Sequence, residues 1–165
     1  MEETAFKEEQ PLSQVWWILF IILGTAGLMW YGFVQQIIWG QPFGTNPGPD
    51  WLIWLLWLLI GLGLPGVWLI TKLVVEVKND HILIRYFPFV TRRIPFTDIR
   101  HFQARTYSPL KEYGGWGIRG WGNKIAYNVS GNQGVELTLN NEQKIMIGSQ
   151  RASELALALE SKIKQ

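Results

Sequence analysis

Two long stretches with no polar face dominate the first half of the chain. Val15 to Trp39 reads VWWILFIILGTAGLMWYGFVQQIIW, 25 residues whose only strongly polar members are Gln35 and Gln36. Trp51 to Thr71, WLIWLLWLLIGLGLPGVWLIT, gives a further 21. A helix at the surface of a soluble domain turns a polar stripe to water. These have none, and at ~1.5 Å per residue each covers the ~30 Å hydrocarbon layer of a bilayer. The pattern predicts two transmembrane helices, at 15–39 and 51–71. Between them, Gly40 to Asp50 (GQPFGTNPGPD) has Gly or Pro at six of eleven positions. So short a loop, broken by Pro47 and Pro49, turns the chain straight back, making an antiparallel hairpin. Gly61, Gly63, Pro65 and Gly66 interrupt the second segment. They read as a kink or a close helix approach, because two helices cannot enclose a transport path and no ionisable group lies at mid-depth. Trp51, Trp54 and Trp57 read as a stripe facing lipid or a partner.

After Thr71 the pattern switches to period two, the sign of strands with one buried face. Leu73–Lys78 and His81–Phe87 flank an Asn79-Asp80 turn. Further strands are predicted at Thr91–Phe96, Ile99–Tyr107, Lys124–Val129, Val135–Asn140 and Lys144–Ser149, about seven in all and antiparallel. Residues 108–122 show no clear period and read as a loop. From Gln150 to Lys164 the apolar positions Ala152, Leu155, Ala156, Leu159 and Ile163 fall on one helical face. Ser149 is placed to cap that helix, and Lys162 and Lys164 suit its C-terminal dipole. Its apolar face has to cover an open end of the sheet.

Charge sharpens the division. There is no Asp, Glu, Lys or Arg between Glu9 and Asp50, nor between Asp50 and Lys72, and eight of the ten Trp lie in this half. Residues 1–14 read as an acidic tail, Glu2, Glu3, Glu8 and Glu9 against Lys7. Residues 72–165 carry fourteen Lys/Arg against eight Asp/Glu, a net +6. Lys and Arg resist translocation, and the 40–50 loop has neither, whereas Lys72, Lys78 and Arg85 follow the second helix. Both termini and the β domain are therefore expected in the cytoplasm. The acidic start and long apolar run argue for a retained anchor over a cleaved signal peptide.

The order of elements resembles the bacterial pleckstrin-homology-like domain proteins, in which a membrane hairpin carries a seven-stranded barrel capped by a C-terminal helix. The segment Tyr113–Leu159 is especially similar to the C-terminal half of one uncharacterised branch. The resemblance implies a fold and a membrane location, and brings no catalytic residue with it.

The chemistry is sparse. Cysteine is absent, which removes disulfides, thiolate nucleophiles and Cys-based zinc sites. Gly115-Trp-Gly117-Ile-Arg-Gly120 matches G-x-G-x-x-G, but a dinucleotide fingerprint needs a helix to start at the glycines. The following KIAYNV alternates as a strand. His81 and His101 lack companions at ligand spacing. No enzyme, cofactor, metal or nucleic-acid partner is expected. What stands out is the stretch Arg105 to Trp121, which gathers Arg105, Tyr107, Lys111, Tyr113, Trp116, Arg119 and Trp121 among glycines. Trp with Arg is the composition of binding hot spots. Three readings stay open: a protein-binding surface, insertion at the bilayer interface with Lys111 and Arg119 on anionic head groups, or tryptophans filling the barrel core. On the last, Trp121, beside a strand, is expected to be the buried ring and Trp116 the exposed one. The expectation is a membrane-anchored, non-enzymatic interaction or assembly module, binding a protein partner or itself as a homo-oligomer. The alternative is an anionic-lipid-recognition module on the same bilayer.

Overall fold

The computed structural model describes residues 4–163 and divides into two compact units, residues 15–70 and residues 4–14 with 71–163. Glu2, Glu3 and Lys164, cited above, lie outside the described residues.

The first unit is the hairpin. Helix α1 spans Trp16–Ile38 and α2 spans Asp50–Ile70, 23 and 21 residues, both long and apolar enough to cross a membrane. Each contains a stretch wound to the wider π repeat, Val34–Ile38 at the end of α1 and Trp57–Gly63 inside α2. Hence the glycines and proline do not break α2. Pro65 has no N–H for the Gly61 carbonyl four residues back, and Trp30 Nε1 donates to that carbonyl at 3.3 Å. A Cβ on Gly61 would meet the Trp57 ring at 3.1 Å and the Trp30 ring at 3.6 Å, so glycine here permits close approach of the helices. Of the expected tryptophan stripe, Trp57 is packed inward. Phe33 stacks on Trp57 at 4.5 Å and meets Trp54 edge-on at 4.7 Å, while Trp51 and Trp54 remain exposed. Gln36 Nε2 ties the connecting loop by donating to Gly48 O and Asp50 Oδ1, both at 2.8 Å.

The second unit holds two sheets. One has the order β1-β2-β3-β4, with β1 Phe6–Pro11, β2 Lys72–Val77, β3 His81–Phe87 and β4 Val90–Pro95. The other has the order β5-β8-β9-β7-β6, with β5 Ile99–Thr106, β6 Gly117–Trp121, β7 Lys124–Asn128, β8 Gln133–Leu139 and β9 Lys144–Gly148. A short helix α3, Pro109–Tyr113, follows β5, and α4, Ala152–Ile163, ends the chain. The core comprises fully buried aliphatics of both sheets, among them Leu73, Val75, Ile82, Ile84, Leu137, Ile145 and Ile147, with Leu155 and Leu159 of α4.

Five expectations need correction. The sheets do not close into a barrel, and the described residues form nine strands, not seven. The pairing is not wholly antiparallel, because β7 runs parallel to β9. Residues 108–122 contain α3 and the glycine-rich β6. Finally, residues 4–14 are not a tail. Phe6–Pro11 is the edge strand of the first sheet, running antiparallel to β2 from Phe6 opposite Val77 to Pro11 opposite Lys72. Its inward positions are Phe6, Glu8 and Gln10, all buried. Two of the three are polar, so hydropathy gave no sign of an inner face. They are tied inward by hydrogen bonds: Glu8 accepts from Ser149 Oγ at 2.5 Å and Gln150 N at 2.9 Å, and Gln10 Nε2 donates to Gly148 O at 2.9 Å, while Gln10 Oε1 is buried without a partner. Ser149 also accepts from Arg151 N–H at 3.0 Å in the turn before α4, but it is not the cap its position suggested, because Arg151 O takes the first helical N–H, from Leu155.

Candidate functional site

The segment from Arg105 to Trp121 is built as a cover followed by an edge. Ser108-Pro109 starts α3, with Pro at a position whose N–H needs no partner. The Ser108 N–H donates to Glu112 Oε1 at 2.7 Å. Gly114, at φ 77°, ends the helix in the left-handed conformation, and Gly114 and Gly115 return N–H bonds to Leu110 and Pro109.

This turn of helix lies on the face of the second sheet opposite the main core. Tyr107 and Tyr113 pack edge-to-face at 5.9 Å and form a small buried cluster with Ala126 and Met146. Asn128, fully buried, donates to Tyr107 Oη at 2.9 Å and accepts from Gly117 N–H at 2.8 Å. Burial pushes the Tyr107 hydroxyl up, and it pushes that of Tyr113 up to about 12. Arg105 pins the arrangement. Its Nη2 reaches Glu136 Oε2 at 2.6 Å and Glu112 Oε2 at 2.8 Å, and its Nε donates to Glu136 Oε2 at 3.1 Å. The guanidinium holds the Glu112 carboxyl below its usual range, and Glu112 in turn raises Arg105.

The seven residues singled out in the sequence thus separate. Arg105, Tyr107 and Tyr113 hold the cover in place. Lys111 is exposed on α3, and Arg119 is exposed on β6 with Nε donating to Trp116 O at 3.1 Å. The tryptophans reverse the expected order. Trp121 is 68% exposed, whereas Trp116 is 37% exposed and donates from Nε1 to Gly131 O at 3.0 Å. Neither fills the core. Trp121 closes the β6–β7 hairpin opposite Lys124 at the margin of the sheet, where its ring lies across Gly114. A shallow recess of about 290 Å³ beside Arg105 is lined also by Ala104, Thr106, Gln133, Ala152 and Ser153.

Sequence reasoning missed α3, although Ser108-Pro109 and Gly114 are start and stop signals for one helical turn. It missed β6, where Gly117 and Gly120 take positive φ and erase the alternation.

The two units define a protein with an apolar two-helix hairpin set into a β-rich domain. The chain belongs to the family of unknown function DUF6141, whose model matches residues 2–165. No curated protein and no solved structure matches it.

Proposed function

We propose that the protein is a membrane-anchored, non-enzymatic assembly module that engages a protein partner along β6. The observation that carries this reading is Trp121, a large ring 68% exposed on the edge strand of a sheet. An edge strand offers unpaired backbone donors and acceptors to an added strand. Exposed Trp121 on the same strand as exposed Arg119 supplies the anchor and charge typical of interface centres. Two sheets with a C-terminal helix behind a membrane hairpin are in keeping with a pleckstrin-homology-like domain, and the lack of Lys and Arg in residues 40–50 favours a cytoplasmic β domain.

The test is a photo-crosslinking residue at Trp121 in the full chain, expressed in membranes, with Arg100 as an exposed control position. A discrete protein adduct at 121, absent at 100 and weakened by Arg119→Ala, is the expected result. Adducts with lipid alone would replace this reading with anionic-lipid recognition, and adducts no stronger than the control would refute both.

A further inference from the structure

The two ends of the first sheet differ sharply in chemistry. At one end β2 and β3 are joined through Asn79 and Asp80, both exposed and polar. At the other, β3 and β4 are joined through Phe87-Pro88-Phe89, with Phe89 N–H donating to Tyr86 O at 2.8 Å. Phe87 is 50% exposed and Phe89 57%. Tight turns in water draw on Gly, Asn, Asp and Ser, and three consecutive exposed apolar residues at a turn are a poor solution there.

The strand register says which end this is. Phe87 is opposite Lys72, and Lys72 is opposite Pro11. Pro11 is where the chain leaves the sheet towards α1. Lys72 is where it returns, separated from the last residue of α2, Ile70, by Thr71 alone. A residue spans at most ~3.6 Å of chain, and paired strands lie ~4.8 Å apart. Covalent connection by itself therefore holds the Phe87–Phe89 turn within a short reach of the depth at which a spanning α2 ends.

We propose that the Phe87-Pro88-Phe89 turn inserts into the interfacial layer of the bilayer, a second contact between the β domain and the lipid besides the hairpin. The occupant of this apolar tip is lipid, because the tip lies at the one end of the sheet tied to the membrane segments while the opposite end is polar. Phe, with Trp and Leu, is a side chain by which interfacial segments bury an apolar face at the headgroup/acyl boundary. The inference rests on the hairpin spanning a bilayer and is independent of the β6 surface.

The absence of native cysteine makes the experiment direct. Single cysteines at Phe89→Cys, Asn79→Cys and Leu59→Cys are introduced into the full chain, nitroxide-labelled, and reconstituted in phosphatidylcholine/phosphatidylglycerol vesicles. Collision rates are measured with oxygen, which concentrates in lipid, and with a water-soluble nickel chelate. The label at 89 is expected to show an oxygen-to-nickel ratio several-fold above that at 79 and below that at 59. A ratio at 89 equal to that at 79, or shielding from both reagents, overturns the proposal. An aqueous ratio at 59 overturns the membrane reading of the hairpin as well, which separates the two failures.

Discussion

Glu8 and Ser149, 141 positions apart, are joined by a 2.5 Å hydrogen bond in which the buried hydroxyl donates to the buried carboxylate. The same carboxylate accepts from Gln150 N–H, so the first strand of one sheet is bonded to the junction between the last strand of the other and α4. The whole hairpin, residues 15–70, is an insertion between β1 and β2, whose pairing continues to a Leu12 N–H bond with Thr71 O at 2.9 Å.

Replacing residues 13–70 by a two- to four-residue Asn/Gly turn should therefore yield a soluble, folded β domain, since such loops join antiparallel neighbours. A fragment starting at residue 72 should not fold, because it exposes the edge of β2 and leaves the Ser149 hydroxyl and Gln150 N–H without Glu8. In the joined domain, Glu8→Ala should cost ~2–3 kcal/mol, the scale for stranding buried donors of a charged hydrogen bond. Circular dichroism and urea titration check all three, and a cooperatively folded 72–165 fragment would contradict the role given to β1.

Arg105 and Lys111 offer a second contrast. Arg105 is three-quarters buried and bridges Glu112 and Glu136, so Arg105→Ala should lower stability by ~1–3 kcal/mol and loosen residues 107–117. Lys111→Ala should stay within ~0.5 kcal/mol, as exposed substitutions do. Hydrogen exchange over α3 reads the difference. Equal protection in both variants would show that the ion pairs do not hold the cover.

The hairpin and the central strands were readable in the sequence because their burial is apolar and periodic. Leu73, Val75 and Val77 alternate with a neighbouring strand of the same kind, and α4 repeats at three and four residues. Where burial is polar, as at Glu8 and Gln10, the same physics left no hydropathy signal, since the inner face bonds to partners about 140 positions away that spacing cannot reveal. The site divides in the same way. Its composition pointed to Arg105–Trp121, but whether each residue serves the cover or the surface depends on α3, one turn too short to show a period.

Gly120 tests the edge strand. At φ 149° its Cβ would stand 2.1 Å from Lys124 O, a contact that neither backbone can relieve without opening the β6–β7 hairpin. Gly120→Ala should cost more than ~3 kcal/mol and Gly122→Ala, at φ 60° in open space, only ~1 kcal/mol. Thermal melts of the joined domain distinguish them, and equal losses would contradict the β6 geometry.

Orientation is tested by two cysteines in a chain that has none. Thr45→Cys, in the loop free of Lys and Arg, should react with an impermeant thiol reagent in intact cells. Ser161→Cys, exposed on α4, should react only after permeabilisation, and the opposite pattern would invert the proposed topology.

Alkaline titration probes the buried tyrosine pair. Burial pushes the Tyr113 hydroxyl up to about 12 from an ordinary 10.0, and it raises Tyr107 and Tyr86 in the same direction. A raised folded value means that the neutral form is the one the fold favours. The contribution is complete below pH 10, where both states are protonated, and falls away as pH climbs towards 12, because the unfolded chain releases its protons first. In the joined domain, which lacks Tyr31, the tyrosinate absorbance of these rings should stay low near pH 10 and then rise together with loss of the near-ultraviolet circular dichroism. Arg105→Ala, which loosens the cover over Tyr107 and Tyr113, should move that rise to lower pH. Tyrosinate forming at Tyr107 and Tyr113 at pH 10, with the near-ultraviolet signal intact, would mean that the cover over the second sheet is open to water.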